Sequence, residues 1–370
     1  MIARPLAPLW LARPSRFATL TPIQARAALF ALAVLLVATL LALGTPLAPR
    51  DPAPEPGDQT DIVLYQTVVG NVRHGGNYYR VTAEALRGGD YPLRPFVVFR
   101  LPTLAVVEAA LPDAAMIALL YALVAATALA WWKRLNSAFV RASPRIVAML
   151  VLAAGLVTFI QADLRYFHEV WAGLFIALSL ALRRREDWLP AVAFGLAAVL
   201  VRETAAPYLV LMAFFAILEG SRREAAAWGL ALAVLAAALG AHAHAVAQVV
   251  HPLDPASPGW AGMLGFGFFV KTMAISTALA LVPLWLAAPL VGIALFGWAA
   301  WADDLGIRML ALLSGYAAIL AVVGRTDTFY WGLLVAPAML VGIAFAVDGV
   351  RDLIHAALDQ RRITVRRVVR

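Results

Sequence analysis

The chain has 370 residues, of which 63% are hydrophobic and 14% charged, with a mean hydropathy of +0.81. A soluble domain ordinarily carries about 25% charged residues, so one water-soluble core is excluded and the chain reads as an all-α polytopic membrane protein. The net charge of +8 comes from 30 basic and 22 acidic residues, and the absence of cysteine excludes disulfides, thiolate nucleophiles and Cys-ligated zinc.

Residues 1–26 form a basic, proline-containing lead with Arg4, Arg13, Arg16 and Arg26. The first apolar run follows at 27–44, read as an uncleaved span because a secretory signal carries a shorter apolar stretch. Nine further runs lie at 113–132, 146–162, 169–182, 188–201, 204–218, 225–250, 275–302, 309–324 and 331–347. They are continuously apolar rather than alternating, which selects about ten helices over barrel strands. Residues 27–350 are thus expected to form one transmembrane domain, followed by a basic tail at 351–370.

The basic residues lie between these runs, where they set orientation, and not in a patch suited to nucleic acid. With the N-terminus inside, the cytoplasmic segments hold 20 basic and 9 acidic residues, and the rest of the chain 10 and 13. Both termini are therefore expected in the cytoplasm, and 263–273 reads as an interfacial helix ahead of a single crossing.

The outer connections are unequal, with a first periplasmic loop at 45–112. Its opening, 45–60, is rich in Pro, Asp and Glu. Beyond it Ile62, Tyr65, Val69 and Val72 recur at helical spacing, as do Tyr79, Ala83 and Leu86 ahead of Gly88 and Gly89. Two amphipathic juxtamembrane helices are expected there. Between the clusters Arg183 to Arg185 and Arg222 to Arg223, Arg202 and Glu203 interrupt two apolar runs of 13 or 14 residues. Each run spans about 20 Å, short of a hydrocarbon core about 30 Å thick. The charged pair is expected below the outer lipid surface, facing a polar cavity.

Every outward connection carries ionisable groups. Asp61 stands with Asn77, Tyr78 and Tyr79, and then come Arg94 and Arg100. Asp163, Arg165, His168 and Glu169 follow, then Arg202 with Glu203, the histidines 242, 244 and 251, and finally Arg325, Asp327 and Tyr330. Transfer of a sugar from a phosphate-linked lipid needs a carboxylate to accept the acceptor's proton and cations to hold the leaving phosphate. Arginine suits the latter through its bidentate fork. Structural roles compete. Asp61 heads a helix, where acids cap favourably, tyrosines anchor at interfaces, and Arg202 and Glu203 can neutralise one another. His168 and Glu169 are adjacent and point to different helix faces, but with Asp61 and Asp163 they leave room for a divalent metal. No Walker loop, dinucleotide fingerprint, HExxH or GxSxG occurs, so cytoplasmic nucleotide chemistry is unsupported and a donor is expected to be lipid-linked.

The segment Asn77-Tyr-Tyr-Arg-Val-Thr-Ala-Glu-Ala-Leu-Arg-Gly-Gly-Asp-Tyr-Pro-Leu-Arg-Pro95, set in this layout, resembles the first outer loop of GT-C glycosyltransferases. That superfamily includes dolichyl-phosphate-mannose protein mannosyltransferases and the lipid A aminoarabinose transferase. The resemblance implies a polytopic enzyme of the bacterial inner membrane that moves a sugar from a polyprenyl phosphate to a periplasmic acceptor. Where many relatives keep an aspartate before the tyrosine pair this chain has Asn77, so the role of base passes to Asp61. Asp163 stands where the family often keeps a second acid, and Arg202 and Arg325 stand like its phosphate-binding cations. By the same resemblance Asp61, Asp163 and Glu169 are the catalytic acids, and Arg100, Arg202 and Arg325 hold phosphate. Asn77, Tyr78, Tyr79, Arg94, His168, Glu203, Asp327 and Tyr330 contact substrate. A transporter or lipid-carrier flippase using the same charges as a pathway is the main alternative, and a non-catalytic envelope scaffold a third.

Overall fold

A computed structural model describes residues 7–46 and 61–359. Most of the Pro- and acid-rich opening of the long loop and most of the basic tail lie outside the described residues. The described chain is helical throughout. In order the helices are α1 (Pro22–Thr39), α2 (Asp61–Arg73), α3 (Tyr78–Gly88), α4 (Thr103–Ala110), α5 (Asp113–Asn136), α6 (Ala142–Leu156), α7 (His168–Leu182) and α8 (Leu189–Val201). They continue with α9 (Ala206–Leu218), α10 (Arg222–Ala247), α11 (Gly265–Ile275), α12 (Leu284–Ala300), α13 (Asp304–Val322), α14 (Ala336–Met339) and α15 (Gly342–Leu358).

Five of these stretches are long and apolar enough to cross a membrane: Pro22–Gly44, Asp113–Asn136, Ala142–Ile160, Arg222–Ala247 and Asp304–Val322. Shorter apolar helices pack among them, and the whole is a helical membrane protein. Large apolar side chains such as Phe30, Val37 and Leu41 on α1 and Phe214 and Ile217 on α9 face outward. In water such a surface would be an aggregation site, but in lipid it is the solvated face. α7 is the opposite case, with 13 of its 15 residues buried, so it forms the axis of the bundle.

Two close approaches fix the packing around that axis. A Cβ on Gly297 of α12 would lie 1.7 Å from the carbonyl oxygen of Gly342, and one on Gly173 of α7 would lie 2.1 Å from that of Leu333. Small residues of this kind let membrane helices touch backbone to backbone, where hydrophobic association supplies little. The 331–347 run is accordingly not one continuous helix. It begins with a 3-10 stretch, Phe329–Leu334, passes through α14 and re-forms as α15, which continues to Leu358.

The two ends of the bundle differ. At one end Arg183 pairs with Glu219 and Glu224, Arg308 with Glu219, and Arg134 with Asp303. There the buried Asp348 carboxylate accepts hydrogen bonds from the backbone N–H groups of Leu9, Trp10 and Leu11, at 2.7, 2.8 and 2.8 Å. The opposite end, here the loop end, carries α2 to α4 and the connections at 157–168, 202–205, 248–264 and 323–331.

The expected helices of the long loop are present, with differences. α3 buries Ala83 and Leu86 and stops at the glycine pair as its sequence predicts. α2 is rotated from expectation and buries Leu64, Val68 and Val69, because it packs on α4 and Tyr166. The sequence reading did not foresee α4. α11 also departs from its reading. It stays at the loop end, where the Lys271 ammonium donates to the Thr45 carbonyl at 2.5 Å. Yet Phe268, Phe269 and Val270, which point in three directions, are all fully buried. Most of its circumference is packed against protein, with Phe266, Lys271 and Ile275 half-buried, so it is held into the bundle more closely than a helix lying free on a surface.

Candidate functional site

The loop-end residues enclose a cavity of about 290 Å³, close to the lower limit of small-molecule sites, about 300 Å³. Its walls are the inner faces of α2 and α3, the segment 91–100 with its 3-10 turn Phe96–Val98, the foot of α4, Tyr166 and His168, Arg202, and residues 257–260 and 325–331. Salt bridges and backbone bonds hold this roof down. Arg87 donates two hydrogen bonds to Asp254 at 2.9 and 2.7 Å, and the Leu93 N–H donates to the Pro255 carbonyl at 2.9 Å.

Asp61 opens α2 and lines the cavity, where its Oδ1 accepts a hydrogen bond from the Tyr91 hydroxyl at 3.1 Å. Burial raises this carboxyl above the ordinary aspartate range, and the Arg100 charge and the Tyr91 hydrogen bond pull it part of the way back. Tyr65, one turn further along the same helix face, accepts from Arg100 Nε at 3.2 Å, and Arg100 Nη2 donates to the Tyr330 hydroxyl at 3.2 Å. Among the described residues no carboxylate forms an ion pair with Arg100. Its fork is held by phenols alone, and its charge is available to a ligand.

Arg202 is differently placed. It is 1% exposed, donates from Nε to Glu169 at 2.5 Å and also pairs with Glu203, yet still lines the cavity. The polar cavity expected beside it is present. The kink that carries it arises because α8 ends at Val201 and the chain restarts through the 3-10 turn Glu203–Ala205. Arg325 pairs with Asp327 at 2.5 Å and donates to the Gly259 carbonyl, and both members of the pair line the cavity mouth.

Five buried polar atoms on the cavity wall have no well-formed hydrogen bond among the described residues: Thr82 Oγ1, which the Tyr78 hydroxyl approaches, Glu108 Oε1, both ring nitrogens of His168, which has the Leu101 backbone as a polar neighbour, and Trp331 Nε1. The His168 ring lies edge-on to Tyr65 at 5.6 Å between centroids. Buried polar groups are ordinarily satisfied, so an under-bonded set of this size around one cavity marks a place where a polar ligand would complete the bonding.

The sequence-selected residues therefore divide. Asp61, Tyr78, Arg100, His168, Arg202, Arg325, Asp327 and Tyr330 line one cavity. Glu169 and Glu203 stand behind Arg202 as its counter-ions. Four others do not line the cavity. Asn77 caps α3 by accepting from the Tyr79 and Arg80 N–H groups. The Tyr79 hydroxyl meets His242 Nδ1 at 3.2 Å. Arg94 donates to the Asp254 carbonyl, which ties the roof to 254–257, and Asp163 is exposed in the turn Ala162–Tyr166. No group of three or more His, Asp or Glu side chains set to hold a metal occurs among the described residues.

Tyr65, Tyr91, Glu108, Trp260 and Trp331 line the cavity but were not singled out as site residues from the sequence. Glu108 had a usable signal, since it is the lone charge in the apolar octet of α4. The same reasoning that selects Arg202 applies to it. Comparisons with protein-family models, curated proteins and solved structures find no match to this chain.

Proposed function

We propose that this protein is a glycosyltransferase of GT-C type, transferring a sugar from a polyprenyl-phosphate donor to an acceptor on the outer side of a bacterial inner membrane. The observation that carries the reading is the placing of Arg100, which pairs with no carboxylate among the described residues, in the same cavity as Asp61. Asp61 takes the proton from an acceptor hydroxyl. That oxygen bonds to the anomeric carbon as the bond from this carbon to the phosphate oxygen breaks, and the electron pair leaves on the polyprenyl phosphate. Arg100, with Arg325 at the mouth, stabilises the charge that develops there. Arg202 adds field from beneath, held in place by Glu169 and Glu203.

On the proposed layout, about ten crossings with both termini in the cytoplasm, this cavity would lie on the outer side, where lipid-linked sugars are presented; the five long apolar helices support a membrane-spanning bundle. The flippase alternative gains less support. The charged groups at the opposite end are spent on one another in pairs such as Arg183 with Glu224, and do not continue a path across the bundle.

The test is sugar transfer by purified protein in nanodiscs, with a panel of polyprenyl-phosphate sugars and an envelope lipid extract. Wild-type transfer that is lost in both Asp61→Asn and Arg100→Ala supports the reading. Unchanged transfer in those variants, or binding without transfer in the wild type, overturns it.

A further inference from the structure

The cavity is elongated along α2. Asp61 and Val69 both line it, and eight residues of helix separate them by about 12 Å. The Asp61 end holds the arginines. The other end is formed by Val68, Val69, Ala105, Thr82, Tyr166 and Glu108.

Glu108 is 3% exposed, and its Oε1 has no hydrogen-bond partner. The nearby cations are committed elsewhere. Arg73 donates to Asp113 at 2.9 Å and to the backbone carbonyl of Glu108, and Arg165 pairs with Asp113 at 3.3 Å while its guanidinium lies 4.2 Å from the Tyr166 ring centroid. Thr82, across the cavity on α3, is also buried, and its hydroxyl makes no well-formed hydrogen bond among the described residues, with Tyr78 approaching it. One carboxyl, one hydroxyl and flanking apolar and aromatic surface make an environment in which, among the described residues, the two nearby cations, Arg73 and Arg165, are already engaged by Asp113.

We propose that the Glu108 end of the cavity is a second subsite, which binds an uncharged, hydroxyl-bearing sugar ring through hydrogen bonds to Glu108 and Thr82. The sugar's role as acceptor rests on the transferase reading, but its binding does not. Ligand charge follows from the surroundings. A phosphate or carboxylate would meet a carboxyl whose neighbouring cations are already engaged, at a high desolvation cost. An ammonium would require an ionised carboxylate, whereas burial pushes Glu108 up to about 8, so near neutrality it is mostly the acid, a donor and acceptor at once. A sugar hydroxyl can use both capacities, and its C–H face fits Val68, Val69 and Ala105.

The experiment is saturation-transfer NMR on the full chain in zwitterionic nanodiscs, with the methyl glycosides of glucose, mannose and galactose as probes. Glucosamine and glucose 6-phosphate serve as charged comparators. Wild-type protein is expected to bind at least one neutral glycoside more tightly than either comparator. Glu108→Leu should weaken that binding about tenfold and Glu108→Gln, which keeps a donor and an acceptor, by less than about threefold. Thr82→Val, a smaller change to the fold, should also weaken it and stands in should Glu108→Leu fail to fold. Unchanged affinity in Glu108→Leu or Thr82→Val, tighter binding of a charged comparator, or no saturation transfer from any neutral glycoside would overturn the subsite. Glu108-dependent binding in a protein that transfers no sugar supports the subsite and discards the transferase. Transfer without Glu108-dependent binding discards the subsite alone.

Discussion

Arg202 and Glu169 lie 33 positions apart and meet at 2.5 Å with both side chains 1% exposed. Removing one member of such a pair strands the other charge, which is costlier than the pair is worth. Glu169→Leu is expected to destabilise the protein by about 3 kcal/mol. Glu203→Gln, at a partner that is 14% exposed, should cost clearly less. Equilibrium unfolding of the purified variants checks this, and equal losses would contradict the assignment of Glu169 as the principal counter-ion. Loss of activity in an Arg202 variant is therefore ambiguous, because both carboxylates depend on it.

Arg100 gives the cleaner test of phosphate binding, since its partners are the phenols of Tyr65 and Tyr330. Arg100→Ala should lower kcat/KM for transfer by about 100-fold or more, as expected when a charge-stabilising donor is lost. The unfolding midpoint should change little. Arg100→Lys keeps the charge without the fork and should fall between the two.

The pH dependence of transfer should report Asp61. A base must be ionised, so activity falls as pH drops through its pKa, and burial places that midpoint above the ordinary aspartate range. The Tyr91 hydrogen bond favours the ionised form. Tyr91→Phe should therefore move the acid limb to higher pH, and an unmoved limb would show that another group acts as base.

Glu108 makes a prediction for stability that needs no substrate. Its carboxyl is pushed up from 4.5 to about 8 in the fold, so between those values the folded state binds the extra proton. Its contribution is fully present below the unfolded value and is lost with rising pH, at a limiting slope of about 1.4 kcal/mol per pH unit. Glu108→Gln does not titrate. Its stability relative to wild type should rise from pH 5 to pH 8, and parallel pH profiles for the two proteins would refute this.

Asp348 is fully buried and accepts from three consecutive backbone N–H groups near the N-terminus. Asp348→Ala leaves those donors unmet, at a cost of about 2 to 4 kcal/mol. Tryptic cleavage after Arg16 should accelerate in this variant while the rest of the bundle stays resistant.

Composition and apolar periodicity alone determined that this is a helical membrane protein. They also located α5, α7, α8, α9, α10 and α13 to within a few residues, because lipid forces each segment to satisfy its own backbone hydrogen bonds. The glycine stop of α3 and the burial of Arg202 beside a polar cavity were legible for equally local reasons, a helix-terminating pair and a charge set between two short apolar helices. Which side chains share a cavity was not local. Asp61 and Tyr91, and Arg100 and Tyr330, meet only because the long loop folds back onto the bundle end, whereas Arg202 and Glu169 meet because α7 packs along α8. That loop docking left Asp163 outside and brought Glu108 in, while Asn77 is a helix cap through its own α3 alone. Sequence spacing reports which residues share a helix face, whereas contacts between distant segments depend on packing that only the tertiary structure decides.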